Sequence, residues 1–197
     1  MLREVSILRE LSQSEGRNYI TKLKDVVKGK EDICHLEVYL VMEIFKGDNL
    51  QQFLNKVKVK KINFEEDQCK LLAFNLIKAV DYLHRSNIIH RDLKPANVLV
   101  ADNLDVKICD FGLSRVNPFL DEFEVPNSKD ARLALSQILK KSRRERRHSS
   151  KKRSLTPYVV SRIYRAPEIA LMEPYSFSLD IWSLGCIVAE LLFSASK

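Results

Sequence analysis

The chain is poor in glycine: five residues in 197, none arranged as the G-x-G-x-x-G run that wraps nucleotide phosphates. It is also poor in cysteine. Cys34, Cys69, Cys109 and Cys186 stand far apart with no paired spacing, which argues against a zinc module or a redox motif. Each has apolar neighbours, so free thiols in a reducing, intracellular compartment are expected. No apolar run near the start resembles a secretory leader. The longest hydrophobic stretch, near 187–193, is far short of the ~20 residues that span a bilayer, so no membrane partner is expected. There is no internal repeat.

What is present describes an ordinary globular chain, 45% apolar and 30% charged. The net charge of +7 is unevenly placed: residues 116–153 hold eleven Lys/Arg against five Asp/Glu, a local excess of six. Such asymmetry marks a separable segment more than a basic fold. The run KKSRRERRHSSKKR, which opens on Lys140 and closes on Arg153, lacks the interleaved aromatics that stack on bases, so a nucleic-acid partner is not the leading expectation.

Periodicity places a helix at 1–11, with Leu2, Val5, Ile7, Leu8 and Leu11 on one face. Strands are predicted at 19–27 and 37–45, joined by the polar turn KGKEDICH. A short helix follows at 48–57, then the longest one at 65–86, with Leu72, Leu76, Ala79, Val80 and Leu83 on its buried side. IIHRDLKPANVLV and VKICDFGL are short apolar runs that flank polar loops. One helix is expected at about 130–141 inside the charged segment, and a strongly apolar, buried one at 178–192.

The polar loops carry the chemistry. Phosphoryl transfer needs a carboxylate near the attacking hydroxyl, a cation near the moving phosphate, and metal ligands. Asp92 can supply the first and Lys94, two residues on, the second. Asn97 and Asp110 are hard oxygen donors of the kind Mg2+ prefers.

His90-Arg91-Asp92-Leu93-Lys94-Pro95-Ala96-Asn97, Asp110-Phe111-Gly112 and Ala166-Pro167-Glu168, in that order, resemble the eukaryotic protein kinases. Asp180-Ile181-Trp182-Ser183-Leu184-Gly185 extends the likeness, which covers the chain apart from roughly 117–153. It implies an α+β, partial bilobal kinase fold. Residues 1–45 would be a small-lobe remnant (helix C and the fourth and fifth strands) with the hinge, and 46–197 a mainly helical large lobe reaching about the end of helix F. The insertion at about 117–153 would be a basic part of the activation segment.

The same resemblance implies ATP and Mg2+ as cofactors and a role for each matching residue. Glu4 would be the glutamate that pairs with the ATP-binding lysine, Met42 the gatekeeper, and Glu43 to Phe45 the hinge whose backbone bonds adenine. Asp92 would be the catalytic base, Lys94 the phosphate contact, and Asn97 and Asp110 the Mg2+ ligands. Leu99 would lie beneath the adenine ring, and Cys109, beside Asp110, has two readings, a small core residue or one that lines the nucleotide site. Leu8, His90 and Phe111 would form a stacked hydrophobic column, and Asp180 would brace the catalytic loop from below. Trp182 is expected to pack rather than bind. Lys94 points to serine/threonine rather than tyrosine specificity.

LTPYVVSRIYRAPE is similar to the activation segment of the MAP kinases, in the CMGC group, although Ile163 stands where that group usually has tryptophan. The likeness makes Thr156 and Tyr158 dual phosphorylation sites, with Arg91, Arg162 and Arg165 as clamps for the added phosphate charge. It implies protein substrates and an upstream dual-specificity activating kinase. The basic run has three readings: a solvated insertion, a nuclear import signal read by an import factor, or a target for basophilic kinases at Ser149. A cytoplasmic location, extended to the nucleus by the second reading, is the expectation.

The family's phosphate loop and its Val-Ala-x-Lys strand have no counterpart here, nor does the arginine that pairs with Glu168. Glu4 therefore has no such partner in this chain, and the helix at 1–11 is expected to expose an apolar face. Two competing readings stay open beside the kinase: a non-catalytic scaffold or competitor, and a polyanion-binding module built on the basic run.

Overall fold

The computed structural model describes residues 2–13, 17–32, 35–117, 162–171 and 175–195. The chain divides into two units, 1–117 with 158–197 and 118–157, the second wholly outside the described residues. The helix expected at 130–141, the basic run, Ser149, Thr156 and Tyr158 fall outside them too.

The described part is α+β, with every strand pair antiparallel. Helix α1, Leu2–Gln13, is followed by a two-stranded ribbon of β1, Leu23–Asp32, and β2, His35–Met42. Strand β3, Asp48–Asn49, and helix α2, Leu50–Lys58, lead to the long helix α3, Glu66–Arg85. The short strands β4, Ile88–Ile89, β5, Val98–Val100, β6, Val106–Ile108, and β7, Arg115–Val116, carry the polar loops. They form a β3-β5-β6 sheet and a β4-β7 pair. A short helix α4, Pro167–Ala170, and helix α5, Ser178–Ala195, follow.

Local chemistry explains the helix boundaries. Asn49 caps α2 reciprocally with Gln52: Gln52 N–H donates to Asn49 Oδ1 at 2.9 Å, and Asn49 N–H donates to Gln52 Oε1 at 3.2 Å. This is why the helix expected from 48 starts at Leu50, with Asp48 and Asn49 spent on pairing with Val100 and Leu99. Glu66 and Asp67 in the first turn of α3, and His84 and Arg85 in its last, both favour the helix dipole.

Three expectations are corrected. Most of the KGKEDICH turn is strand: Lys28 pairs with Val38 and Asp32 with His35, with a register shift between Lys28 and Glu31. Cross-strand hydrogen bonding here overrides weak strand propensity. At the bulge a Cβ on Gly29 would lie 2.7 Å from the Tyr39 ring, so a larger residue there would have to displace Tyr39. The described part of the apolar face of α1, from Val5 to Leu11, is not exposed. Ile7, Leu8 and Leu11 are buried in the same core as Ile20, Tyr82 and Phe111, and Tyr82 Oη donates to Leu11 O at 2.5 Å.

The third correction is α5, which is apolar on all sides but buried on only one. Leu184, Ile187 and Leu191 belong to the core, while Ile181, Trp182, Leu192 and Phe193 are exposed; Trp182, expected to pack, is 49% accessible. By length and a mean hydropathy of 1.5 this helix could cross a membrane, the one described helix that could. Its Asp180 is nonetheless fully buried and hydrogen-bonded to loop backbone.

Candidate active site

The loop after β4 is held from below by a single carboxylate. Asp180 is completely buried at the start of α5. Its Oδ2 accepts from His90 N–H at 2.7 Å and lies 3.1 Å from His84 Nε2, and its Oδ1 accepts from Arg91 N–H at 2.8 Å. Arg91 adopts φ 74°, the left-handed region that costs a non-glycine residue about 1–2 kcal/mol. The Asp180 bond to Arg91 N–H stabilises that turn. The Arg91 guanidinium is directed to the Tyr175 ring, 4.8 Å from its centroid.

His90 is a core residue with a defined tautomer. Asp92 N–H donates to Nδ1 at 3.3 Å, so the ring proton sits on Nε2 and is donated to Cys109 O at 3.1 Å. Its ring meets Phe111 edge-on at 5.2 Å, and both are buried, as is Leu8.

Asp92 is 4% exposed. Its Oδ2 accepts from Lys94 Nζ at 2.6 Å and from Asn97 Nδ2 at 3.1 Å. Asn97 Nδ2 also donates to Asp92 O at 2.9 Å. Two oxygens facing one amide end identify that end as nitrogen, which leaves Oδ1 as the Asn97 atom able to hold a cation. Asp92 Oδ1 is buried and has no hydrogen-bond partner among the described residues.

Strands β5 and β6 bring the second loop alongside. Val98 pairs with Ile108, and Cys109 N–H donates to Asn97 O at 3.0 Å, so Asn97 and Asp110 stand at the same end of the hairpin. Asp110 is exposed with φ 64°, a conformation aspartate tolerates better than most residues. Gly112 N–H approaches its Oδ1 at 3.4 Å. Glu4 Oε2 would lie 4.0 Å from a Cβ on Gly112, which places the α1 glutamate beside this loop. Among the described residues no three His, Cys, Asp or Glu side chains make a ready metal cluster. Asn97 Oδ1 and the Asp110 carboxylate are hard oxygen donors at one end of the β5–β6 hairpin, a donor set that fits Mg2+.

These motifs and their geometry meet in one family. The sequence profile of the protein kinase domain matches residues 1–124 and 134–196. The chain belongs to the protein kinase domain family. It is MAP-kinase-like in sequence: 36% identical to mitogen-activated protein kinase 2 of Arabidopsis thaliana and to the mitogen-activated protein kinase homolog NTF3 of Nicotiana tabacum. It is also 36% identical to mitogen-activated protein kinase 3 of Oryza sativa subsp. japonica. Each match takes in 97% of this chain, which spans only 40–41% of the relatives' length.

Around the kinase loops, the remaining expected residues are distributed as follows. Met42 ends β2 and packs against the core, while Glu43 and Phe45 lie just beyond it, half-buried. Leu99 is half-buried on β5. Arg165 is half-buried, and of Arg162 only the backbone, in a 3-10 turn, is described. The Ala-Pro-Glu end is tied down by Ser183 Oγ donating to Tyr164 O, and by Tyr164 Oη donating to Glu190, both at 2.8 Å. Burial first, then the hydrogen bond and charge of Glu190, push the Tyr164 phenol far above its ordinary pKa, so it stays a donor.

Sequence reasoning missed His84, Tyr175 and Lys107, each of which touches a motif residue from another element. Nothing in their local sequence marks them. Cys109 is neutral: burial, then the Asp110 charge, raise its thiol to about 11. The thiolate that alkylates is therefore scarce at neutral pH and grows only as pH nears that value. Iodoacetamide labelling followed by peptide mapping is expected to find Cys109 slow at about pH 8 and fast only near pH 11. Full labelling at the lower pH would contradict this.

Proposed function

We propose that this chain is the catalytic part of a serine/threonine protein kinase that moves the γ-phosphate of ATP, with Mg2+, to protein hydroxyls. The observation that carries the reading is the Asp92 carboxylate, with Oδ2 held by Lys94 and Asn97 and Oδ1 buried without a hydrogen-bond partner among the described residues. A buried acceptor left open is costly unless a ligand hydroxyl completes it. In the reaction the substrate hydroxyl donates its proton toward the Asp92 carboxylate while its oxygen attacks the γ-phosphorus, and the bond to the ADP oxygen breaks. Lys94, beside Asp92, supports the transferring phosphoryl group. Asn97 Oδ1 and Asp110 would hold Mg2+, which when bound neutralises phosphate charge. Glu4, Met42, Glu43, Phe45, Leu99 and Cys109 would surround the nucleotide.

Residues 1–45 then form the small-lobe part with the hinge, and 46–197 the large-lobe part. The MAP-kinase likeness extends the reading to regulation. Phosphates on Thr156 and Tyr158, placed by a dual-specificity kinase, would be clamped by Arg91, Arg162 and Arg165. Ser149 would be a further phosphorylation site, and the run 140–153 a signal for nuclear import from the cytoplasm.

Thermal unfolding with nucleotide tests the core of this reading. Ligand at 100 times its Kd stabilises by about 2.7 kcal/mol, a Tm rise of roughly 5–10 °C for a chain of this size. That rise is expected with Mg·ATP, and little of it with ATP alone or in Asp110→Ala. A Tm indifferent to Mg·ATP would count against nucleotide binding by this chain.

A further inference from the structure

Residues 43–46, which follow the end of β2, belong to no strand, yet the nucleotide reading requires their backbone to be firmly placed. The structure shows what places it. Glu43 N–H donates to Lys22 O at 2.9 Å, and Lys22 N–H donates back to Glu43 Oε1 at 2.9 Å, closing a two-bond clasp just ahead of β1. The same Oε1 accepts from Lys107 Nζ, midway along β6. Both side chains of that ion pair are largely buried, 16% and 17% exposed. The Lys107 ammonium also lies 6.0 Å from the centre of the Phe45 ring, so one side chain reaches both ends of the Glu43-Ile44-Phe45 stretch.

Lys107 stands opposite Leu99 in the β5–β6 register, directly linking this stretch to the strand that would underlie the base. The far end is pinned separately. A Cβ on Gly47 would meet Val100 O at 2.2 Å, an approach only glycine permits. Burial works against ionising Glu43, but the Lys107 hydrogen bond, the Lys22 N–H and both lysine charges outweigh it and hold its carboxyl below the ordinary carboxylate value. A lowered carboxylate pKa adds stability that is present above the ordinary carboxylate range and lost only as pH falls through the lowered value. The pair is therefore intact at neutral pH.

We propose that Lys107 is a positioning residue for the nucleotide: through Glu43 it fixes the 43–45 backbone, and so sets affinity for the purine base of a nucleoside triphosphate that it does not touch. The inference rests on the nucleotide reading above. Removing one partner of a buried pair also strands a charge, so stability and positioning have to be separated. The double variant Glu43→Gln/Lys107→Met removes both charges together, while Lys107→Arg keeps the ion pair.

The test measures binding of Mg·ATP and of Mg·tripolyphosphate by calorimetry, with amide exchange at Ile44, Phe45 and Lys46, in the chain and these variants. Lys107→Met and the double variant are expected to weaken Mg·ATP about 10-fold, because the base-binding backbone is no longer preorganised. Tripolyphosphate binding stays within about twofold, since it lacks the base. Exchange at the three amides rises at least about tenfold while that of α3 does not, and the double variant recovers melting temperature without recovering affinity. Lys107→Arg stays within about threefold of the parent. A double variant that binds Mg·ATP like the parent, with unchanged exchange, overturns the proposal. If exchange responds to Lys107 but no form of the chain binds Mg·ATP, the nucleotide reading fails and the affinity claim falls with it. If Mg·ATP binds and neither affinity nor exchange responds to Lys107, only this inference fails.

Discussion

Asp92→Asn is expected to lower kcat for phosphate transfer by about 10²–10⁴-fold, with KM for ATP changed by only a few fold. Asparagine keeps the shape of the side chain and an oxygen that Lys94 and Asn97 can still reach. It cannot take up the proton of the attacking hydroxyl. Steady-state transfer of labelled phosphate to a protein substrate by the whole protein is the measurement. Turnover equal to the parent would remove Asp92 from the chemistry.

Asp180→Ala is expected to destabilise the fold by about 3–5 kcal/mol, although the residue touches no substrate. The substitution strands the buried N–H of His90 and the partly buried N–H of Arg91, and a buried, unsatisfied donor costs about 1–3 kcal/mol. It also removes the His84 contact. Without the Asp180 bond, the left-handed backbone at Arg91 loses the interaction that holds it, so the loop carrying Asp92 loosens with it. Urea unfolding of the chain gives the magnitude. Asp180→Asn, which retains one acceptor oxygen, is expected to fall between the two. A loss under about 1 kcal/mol for the alanine variant would mean that the loop is held by other contacts.

The candidate-site residues were legible to unequal degrees. Asp92, Asn97 and Asp110 stand out because they sit in short polar loops between apolar runs, and the β5–β6 hairpin brings those loops together. The long amphipathic helix was readable for the same reason: its period is local, and every residue expected on its inner face is buried. Lys107 and His84 were not readable. A lysine in a strand and a histidine at a helix end have many ordinary uses, and their partners lie 64 and 96 residues away. The burial of α5 was not readable either, because a helix apolar on every side carries no information about which side faces inward.

By itself, then, the sequence determined the family, the order of the chemical loops, and the periods of the helices, since each is written in residues close together along the chain. Tertiary structure decided the rest. It turned a polar would-be turn into paired strand, seated α1 on the core, and put one carboxylate of α5 beneath the loop of Asp92. It also tied Glu43 to Lys107. In each case two distant segments supply a hydrogen-bond donor, an acceptor or an apolar surface that neither carries alone, and only the folded chain brings the two within bonding distance.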